Sequence, residues 1–166
     1  MKPGTAGVQI MGLMEDLDAS TVSQMNLRPP VTISRTATVR EAVVAMRAAG
    51  LGCVIAVDEN EKAVGIFTEG ILRHGLSDGA SYLDEPLEDQ IVARLPWVLP
   101  TDSVRMVLEA MEEHNIRFIA VLDENHHVLG ITGQKSLMEF VAEYFPHEVL
   151  THDPTGREVS VKKEGA

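Results

Sequence analysis

The sequence predicts a mixed α/β (α+β) fold in which one strand–helix–strand–strand–helix unit occurs twice. Three observations lead there. First, a shift of 65 residues lays positions 36–72 over 101–137 without a gap, and eleven of the 37 pairs are identical, among them Val39/Val104, Arg40/Arg105, Met46/Met111, Gly65/Gly130 and Leu72/Leu137. Second, each copy holds one helix pattern with apolar residues at the 3.6-residue period behind a Ser or Thr cap. Third, each copy then holds an apolar run, an acidic turn and a second apolar run that ends in a glycine-containing junction with a helix. A unit this small cannot bury its faces alone, so the two copies share a core. Their pairing leaves clefts between them, the usual place for a small ligand.

Taken in order, residues 1–20 have Gly, Pro and apolar residues without a clear period and read as a mobile leader, with a short helix near Met14-Glu15-Asp16-Leu17. Thr21-Val22-Ser23-Gln24-Met25 reads as a helical turn that Arg28-Pro29-Pro30 ends, because proline disfavours helix at the residue before it. Val31-Thr32-Ile33 reads as a short strand. Thr38-Val39-Arg40-Glu41 has the form of a capping box, and Val39, Ala42, Val43 and Met46 form the apolar stripe of the helix it opens. Gly50 is its stop. Cys53-Val54-Ile55-Ala56-Val57 has the continuous apolarity of a strand buried on both faces. The turn Asp58-Glu59-Asn60-Glu61-Lys62 leads to the strand Val64-Gly65-Ile66-Phe67, and Thr68 caps a helix toward His74-Gly75.

Residues 76–85 read as a connector, and Pro86 as the first-turn proline of a short helix reaching Leu95. The second copy then runs from 86 to 146. Trp97 and its neighbours form its first strand, and Ser103 caps a helix with Val104, Val107, Leu108 and Met111 inward. Asn115 stands where Gly50 stood. The strand Phe118-Ile119-Ala120-Val121-Leu122, the turn at Asp123-Glu124-Asn125, the strand Val128-Leu129-Gly130-Ile131-Thr132 and a helix from Gln134 to Tyr144 complete it. Residues 147–166 read as a polar, loose tail.

The 166 residues are 45% apolar, which is enough for one real core. No apolar run reaches the length of a membrane span, and the first residues lack the apolar centre of a signal peptide. The single cysteine, Cys53, excludes an internal disulfide and a thiolate metal cage, in keeping with a cytoplasmic setting. A net charge of −11 opposes nucleic acid and anionic membranes as partners. It leaves room for a small anion held by local Arg and Lys.

The element order and the junctions Gly65-Ile66-Phe67-Thr68-Glu69-Gly70 and Gly130-Ile131-Thr132-Gly133-Gln134-Lys135 carry a resemblance. They resemble the CBS domain, whose closing motif is Gly-x-x-Thr-x-x-Asp, and the tandem resembles the two-copy module of that family. The stretch Gly50-Leu51-Gly52-Cys53-Val54 with the first junction is similar to the CBS part of sugar-phosphate isomerases, and Phe140-Val141-Ala142-Glu143-Tyr144-Phe145 to stand-alone bacterial CBS proteins. The resemblance implies two repeats packed as a pseudo-twofold pair. It implies regulation rather than catalysis, and an adenine nucleotide (AMP, ADP or ATP, with NAD and S-adenosylmethionine behind them) in a cleft between repeats. It also implies a homodimer formed through exposed helix faces, and a regulated protein partner.

Carried over residue by residue, the match is partial. Thr68 keeps the motif threonine, but Ile71 stands at the motif aspartate; in the second copy Gly133 and Ser136 replace the two. Ser136 offers one hydroxyl where the family has a two-oxygen acceptor. Arg117 holds the strand position where the family carries a phosphate-binding cation, and its counterpart is Gly52. Lys135 matches the basic position of the closing helix. The ligand candidates are therefore Thr68, Arg117, Lys135 and Ser136, with Thr132 and Gly133 supplying backbone. Each has a plainer reading: Thr68 as a helix cap, Arg117 as a strand charge paired at an edge, Lys135 as a solvated side chain.

The missing aspartates support a second expectation, a scaffold or partner-binding module with non-binding clefts. His126-His127 reads as part of a turn rather than a metal site, since adjacent turn residues seldom converge on one ion. Cys53 reads as core. Trp97 and Phe67 are the aromatics that can lie against an adenine, with core packing the plainer role for Phe67. The methionines, Met106 and Met111 among them, read as filler of the core and of a dimer interface. No Ser/His/Asp set, P-loop or paired acidic motif stands at catalytic spacing.

Overall fold

A computed structural model describes residues 6–93 and 96–144. It holds five α-helices, α1 (Ala6–Ala19), α2 (Val39–Ala49), α3 (Glu69–Gly75), α4 (Val104–His114) and α5 (Gln134–Tyr144). Its six strands are β1 (Thr32–Ser34), β2 (Cys53–Val57), β3 (Ala63–Thr68), β4 (Trp97–Val98), β5 (Phe118–Leu122) and β6 (Val128–Gly133). They form two three-stranded sheets, β1-β2-β3 and β4-β5-β6. In each sheet the first pair is parallel and the second antiparallel, and both hairpins carry an irregularity at the same place, Ala56/Val57 and Val121/Leu122.

Local chemistry sets these elements. The Thr38 hydroxyl accepts from the Glu41 amide while the Glu41 carboxylate accepts from the Thr38 amide at 2.7 Å, which satisfies two otherwise orphaned donors at the start of α2. Ser103 caps α4 through the Met106 amide. Both helices stop on a left-handed residue, Gly50 (φ 63°) and Asn115 (φ 49°), the residue types that reach this region at least cost. In the hairpins Asp58 Oδ1 accepts from the Asn60 and Lys62 amides, and Asp123 Oδ1 from those of Asn125 and His127. The two turns meet, with the Ala63 amide donating to the His126 carbonyl at 3.0 Å.

Strand alternation builds three cores. Cys53 and Ile55 of β2 pack with Ile66, Ala120, Leu122 and Ile131, so one face of each sheet is buried against the other repeat. Val54 and Ala56 turn the other way, onto Val39, Ala42 and Met46 of α2. Ile119 and Val121 likewise face Val104 and Val107 of α4. Each buried Val, Leu or Ile contributes on the order of 1.5–3 kcal/mol relative to exposure.

Two expectations are corrected. The leader is helical from Ala6 onward and packs against α4 of the second copy, where Leu17 is 3% exposed. Its end matches the connector under the 65-residue shift: the Val104 amide donates to the Ser20 carbonyl as the Val39 amide donates to the Glu85 carbonyl. Arg105 pairs with Asp18 at 2.8 Å, and Arg40 with Asp84 at 2.9 Å. Each copy's central helix is thus covered by the segment that leads into the other copy. The helix expected from Pro86 to Leu95 is only a 3₁₀ turn, Leu87–Asp89. Beyond it the Val92 amide and carbonyl exchange hydrogen bonds with Ile66, which draws the chain onto β3. Arg28 makes the corresponding pair with Ile131 of β6. Leu95 and residues 145–166, including the expected tail, lie outside the described residues.

Candidate functional site

The crossing of the two repeats leaves a cavity of about 680 Å³ at the mouth of β2 and β3. Its first wall comes from the first copy: Gly52, Thr68, Glu69 and Arg73. Its second wall is the α4–β5 turn, with His114, Arg117 and Phe118, and Val92 and Pro96 of the linking segment close one side. Because both repeats line it, a ligand here touches each of them.

Thr68 does two things. Its hydroxyl accepts from the Ile71 amide at 3.3 Å as the cap of α3, and its half-buried side chain borders the cavity. Ile71 also lines the cavity, so an apolar side chain stands at the motif's aspartate position. Arg117 does not lie within the apolar strand as expected. β5 begins one residue later, and the Arg117 side chain is exposed on the cavity wall. A charge there keeps its solvation and needs no buried partner. The cavity therefore offers two guanidiniums, Arg73 and Arg117, beside one carboxylate, Glu69.

The other four candidates sit elsewhere. Thr132 is 1% exposed, with its hydroxyl 3.7 Å from the Met25 sulfur, and Ser136 is 2% exposed. The inward face of β6 and the first turn of α5 carry both into the core. At Gly133 a side chain would collide with the Arg117 carbonyl, so glycine here permits a close approach of β6 to β5. Lys135 is exposed. None of the four lines the cavity. At the same end Arg28 lies 3.4 Å from Glu139.

Sequence reading missed Arg73, Glu69 and His114. Glu69 and Arg73 stand four apart, one turn of α3, immediately after the cap; that spacing behind Thr68 was the available signal. His114 is the last residue of α4, three before Arg117.

Cys53 is fully buried, and burial, aided by the nearby Glu69 charge, pushes its thiol up to about 12. It is a core residue without thiolate character at neutral pH. His127 Nδ1 lies 3.2 Å from Asp123 Oδ2 inside its turn, and the His126 ring packs at 5.0 Å against Trp97. Among the described residues no group of His, Cys, Asp and Glu is arranged to hold a metal ion, and no helix is long and apolar enough to cross a membrane.

The CBS domain family model matches residues 22–78 and 90–143, and the chain belongs to the CBS domain family as a tandem of two copies. An uncharacterized protein of Chlamydia muridarum is 43% identical over 139 residues, which are 81% of this chain and 40% of that protein. The arabinose 5-phosphate isomerase KdsD of Francisella tularensis is 28% identical over 108 residues, 64% of this chain and 32% of the isomerase. The chain thus spans well under half the length of these relatives. Among solved structures, the CBS domain protein PAE2072 of Pyrobaculum aerophilum, complexed with AMP, has a TM-score of 0.64 at 23% identity, covering 74% of this chain and 98% of that one. The CBS domain pair of protein MJ0100, complexed with 5′-methylthioadenosine and S-adenosyl-L-methionine, has a TM-score of 0.67 at 21% identity, covering 75% and 97%. At these identities the likeness is one of fold.

Proposed function

We propose that this CBS pair is a regulatory, ligand-sensing module that binds an adenosine-type nucleotide in the cavity between its repeats. The observation that carries the reading is the cavity itself: about 680 Å³, lined by both copies, with Arg73 and Arg117 as cations and Phe118 and Ile71 as apolar walls. That volume lies within the range of small-molecule sites. Guanidiniums suit phosphate, which they can bind bidentately. The complexes of PAE2072 with AMP and of the MJ0100 pair with adenosyl compounds support the same ligand class. Of the six residues suggested by sequence, Thr68 and Arg117 line this cavity, which supports the reading for those two.

A ligand that touches both copies shifts their arrangement only if it binds two arrangements unequally. Its signal would leave through exposed apolar side chains on the helices, Val44 of α2, Met106 of α4 and Met138 of α5, toward a second copy in a homodimer or a regulated partner. Catalysis forms no part of this reading. A second reading, a scaffold with a non-binding cleft, is favoured by one observation: Ile71 in place of a carboxylate on the cavity wall.

Thermal unfolding with AMP, ADP, ATP, NAD and S-adenosylmethionine separates the two. Ligand at about 100 times its Kd adds roughly 2.7 kcal/mol of stability. A rise in Tm with one of the nucleotides supports the sensor; no rise with any of them leaves the scaffold.

A further inference from the structure

We propose that two copies of this chain pair head to tail, with the exposed face of α2 in each copy docked on the exposed face of α4 in the other. The inference rests on the homodimer part of the reading above and is independent of nucleotide binding. It goes beyond that reading by fixing which helix meets which.

The 65-residue shift lays α2 over α4, yet their solvent-facing positions differ in kind. Val44 stands over Glu109, Arg47 over Glu112, Ala48 over Glu113 and Glu41 over Met106. In each helix these positions share one face at the 3.6-residue period. Val44 is 62% exposed and Met106 45%, with Arg47 and Ala48 exposed beside the first and Glu109, Glu112 and Glu113 beside the second. Several charges of the two helices already have partners. The Glu41 carboxylate serves the cap of α2, Arg40 pairs with Asp84, and Arg105 pairs with both Asp18 and Glu109. Among the described residues Arg47, Glu112 and Glu113 make no ion pair. The face of α2 therefore offers small apolar side chains with an unpaired cation, and the face of α4 offers Met106 with two unpaired carboxylates.

One chain thus carries both halves of a complementary pair, and this singles out a second copy as the occupant. Pairing α4 with α4 would set Glu112 and Glu113 against the same residues of the second copy. Pairing α2 with α2 would set Arg47 against Arg47. Like charges facing each other across an interface disfavour both. Pairing α2 with α4 sets Arg47 opposite Glu112 and Glu113, and Val44 and Ala48 opposite Met106. The two helices lie on the outer sides of the two sheets, whose inner faces pack on each other. A twofold axis then makes two identical α2–α4 contacts, uses both faces of each copy and leaves neither open to a third.

Sedimentation equilibrium of the full chain over a concentration series, without ligand, tests the pairing. Beside wild type it takes Arg47→Glu, Glu112→Lys/Glu113→Lys and the variant with all three changes, after melting curves show that the variants fold. Wild type should form dimers and nothing larger. Arg47→Glu and Glu112→Lys/Glu113→Lys should each raise the dimer Kd by about tenfold or more, because each puts like charges at both contacts. The variant with all three changes, in which the two faces have exchanged charge, should return to within about threefold of wild type. In a like-with-like dimer each reversal only exchanges one repulsion for another. Unchanged Kd values in Arg47→Glu and Glu112→Lys/Glu113→Lys would therefore overturn the head-to-tail pairing while the homodimer stands. Failure of the combined variant to recover would overturn it too, and so would growth of the wild type beyond dimers, since the contact would then not close. A wild-type chain that stays monomeric throughout the series overturns the pairing together with the homodimer, and leaves the nucleotide reading to the thermal unfolding above.

Discussion

Replacement of Leu17 by Ala tests the helix that covers the second copy. Leu17 is 3% exposed and belongs to the core cluster of Val22, Met25, Val104, Val107 and Phe140. Buried Leu→Ala changes cost about 2–5 kcal/mol, less where the surroundings can collapse into the space. Leu17 lies near the end of a helix held beside it by the Arg105–Asp18 pair and by the Ser20 carbonyl, so partial collapse is available and the lower part of that range, about 2–3 kcal/mol, applies. For a domain of this size that lowers Tm by about 4–12 °C. Urea unfolding of Leu17→Ala beside Glu15→Ala, an exposed change on the same helix, measures it. The Glu15 variant should stay within about 0.5 kcal/mol of wild type. A Leu17→Ala cost below about 0.5 kcal/mol would mean that residues 6–19 contribute no packing, as a mobile leader would.

Two further outcomes follow from local geometry. Gly133→Ala forces a methyl onto the Arg117 carbonyl and should cost about 1–3 kcal/mol, whereas Gly70→Ala, where the nearest atom is the Thr68 hydroxyl at 3.6 Å, should unfold near the wild-type midpoint. The Asp58 carboxylate is held below its ordinary range first by the Lys62 amide and then by the Asn60 amide, and Asp123 likewise by those of His127 and Asn125. A depressed folded-state value means stability that is fully present above the unfolded carboxylate range and lost as pH falls through the folded value, hence below about pH 4. Urea midpoints measured from pH 7 to pH 2 should fall steeply in that window for wild type and less steeply for Asp58→Asn/Asp123→Asn; equal slopes would discount both turns.

Much of the fold was legible because its signals are local. Thr38 with Glu41, Ser103, Gly50, Asn115 and the two acidic turns each act within four residues, and the 65-residue shift then paired the copies. What escaped depends on distant partners. The helix over residues 6–19 has Gly7 and Gly12 inside it and an ion pair 87 residues away, so its pattern alone reads as weak. The segment after Pro86 looked helical until Ile66 claimed both polar backbone groups of Val92. The site divides in the same way. Thr68 and Arg117, which line the cavity, stand out in sequence as a junction residue and a lone charge beside an apolar run. Thr132 and Ser136 face the core, away from the cavity, because the inward side of a strand or helix is set by partners distant in sequence, here Met25 and the α4 cluster. Glu69 and Arg73 became visible only when the α4–β5 turn of the second copy stood opposite them.

Calorimetric titration of AMP into wild-type protein and into Arg117→Ala addresses ligand binding between the repeats most directly. Arg117 is exposed, so the variant should fold normally. Loss of charge-assisted bonds to phosphate should weaken binding by about tenfold to a hundredfold. Saturable heat in wild type that vanishes or weakens by that factor in the variant is the predicted result. An unchanged Kd in Arg117→Ala, or no heat from well-folded wild-type protein, would contradict it.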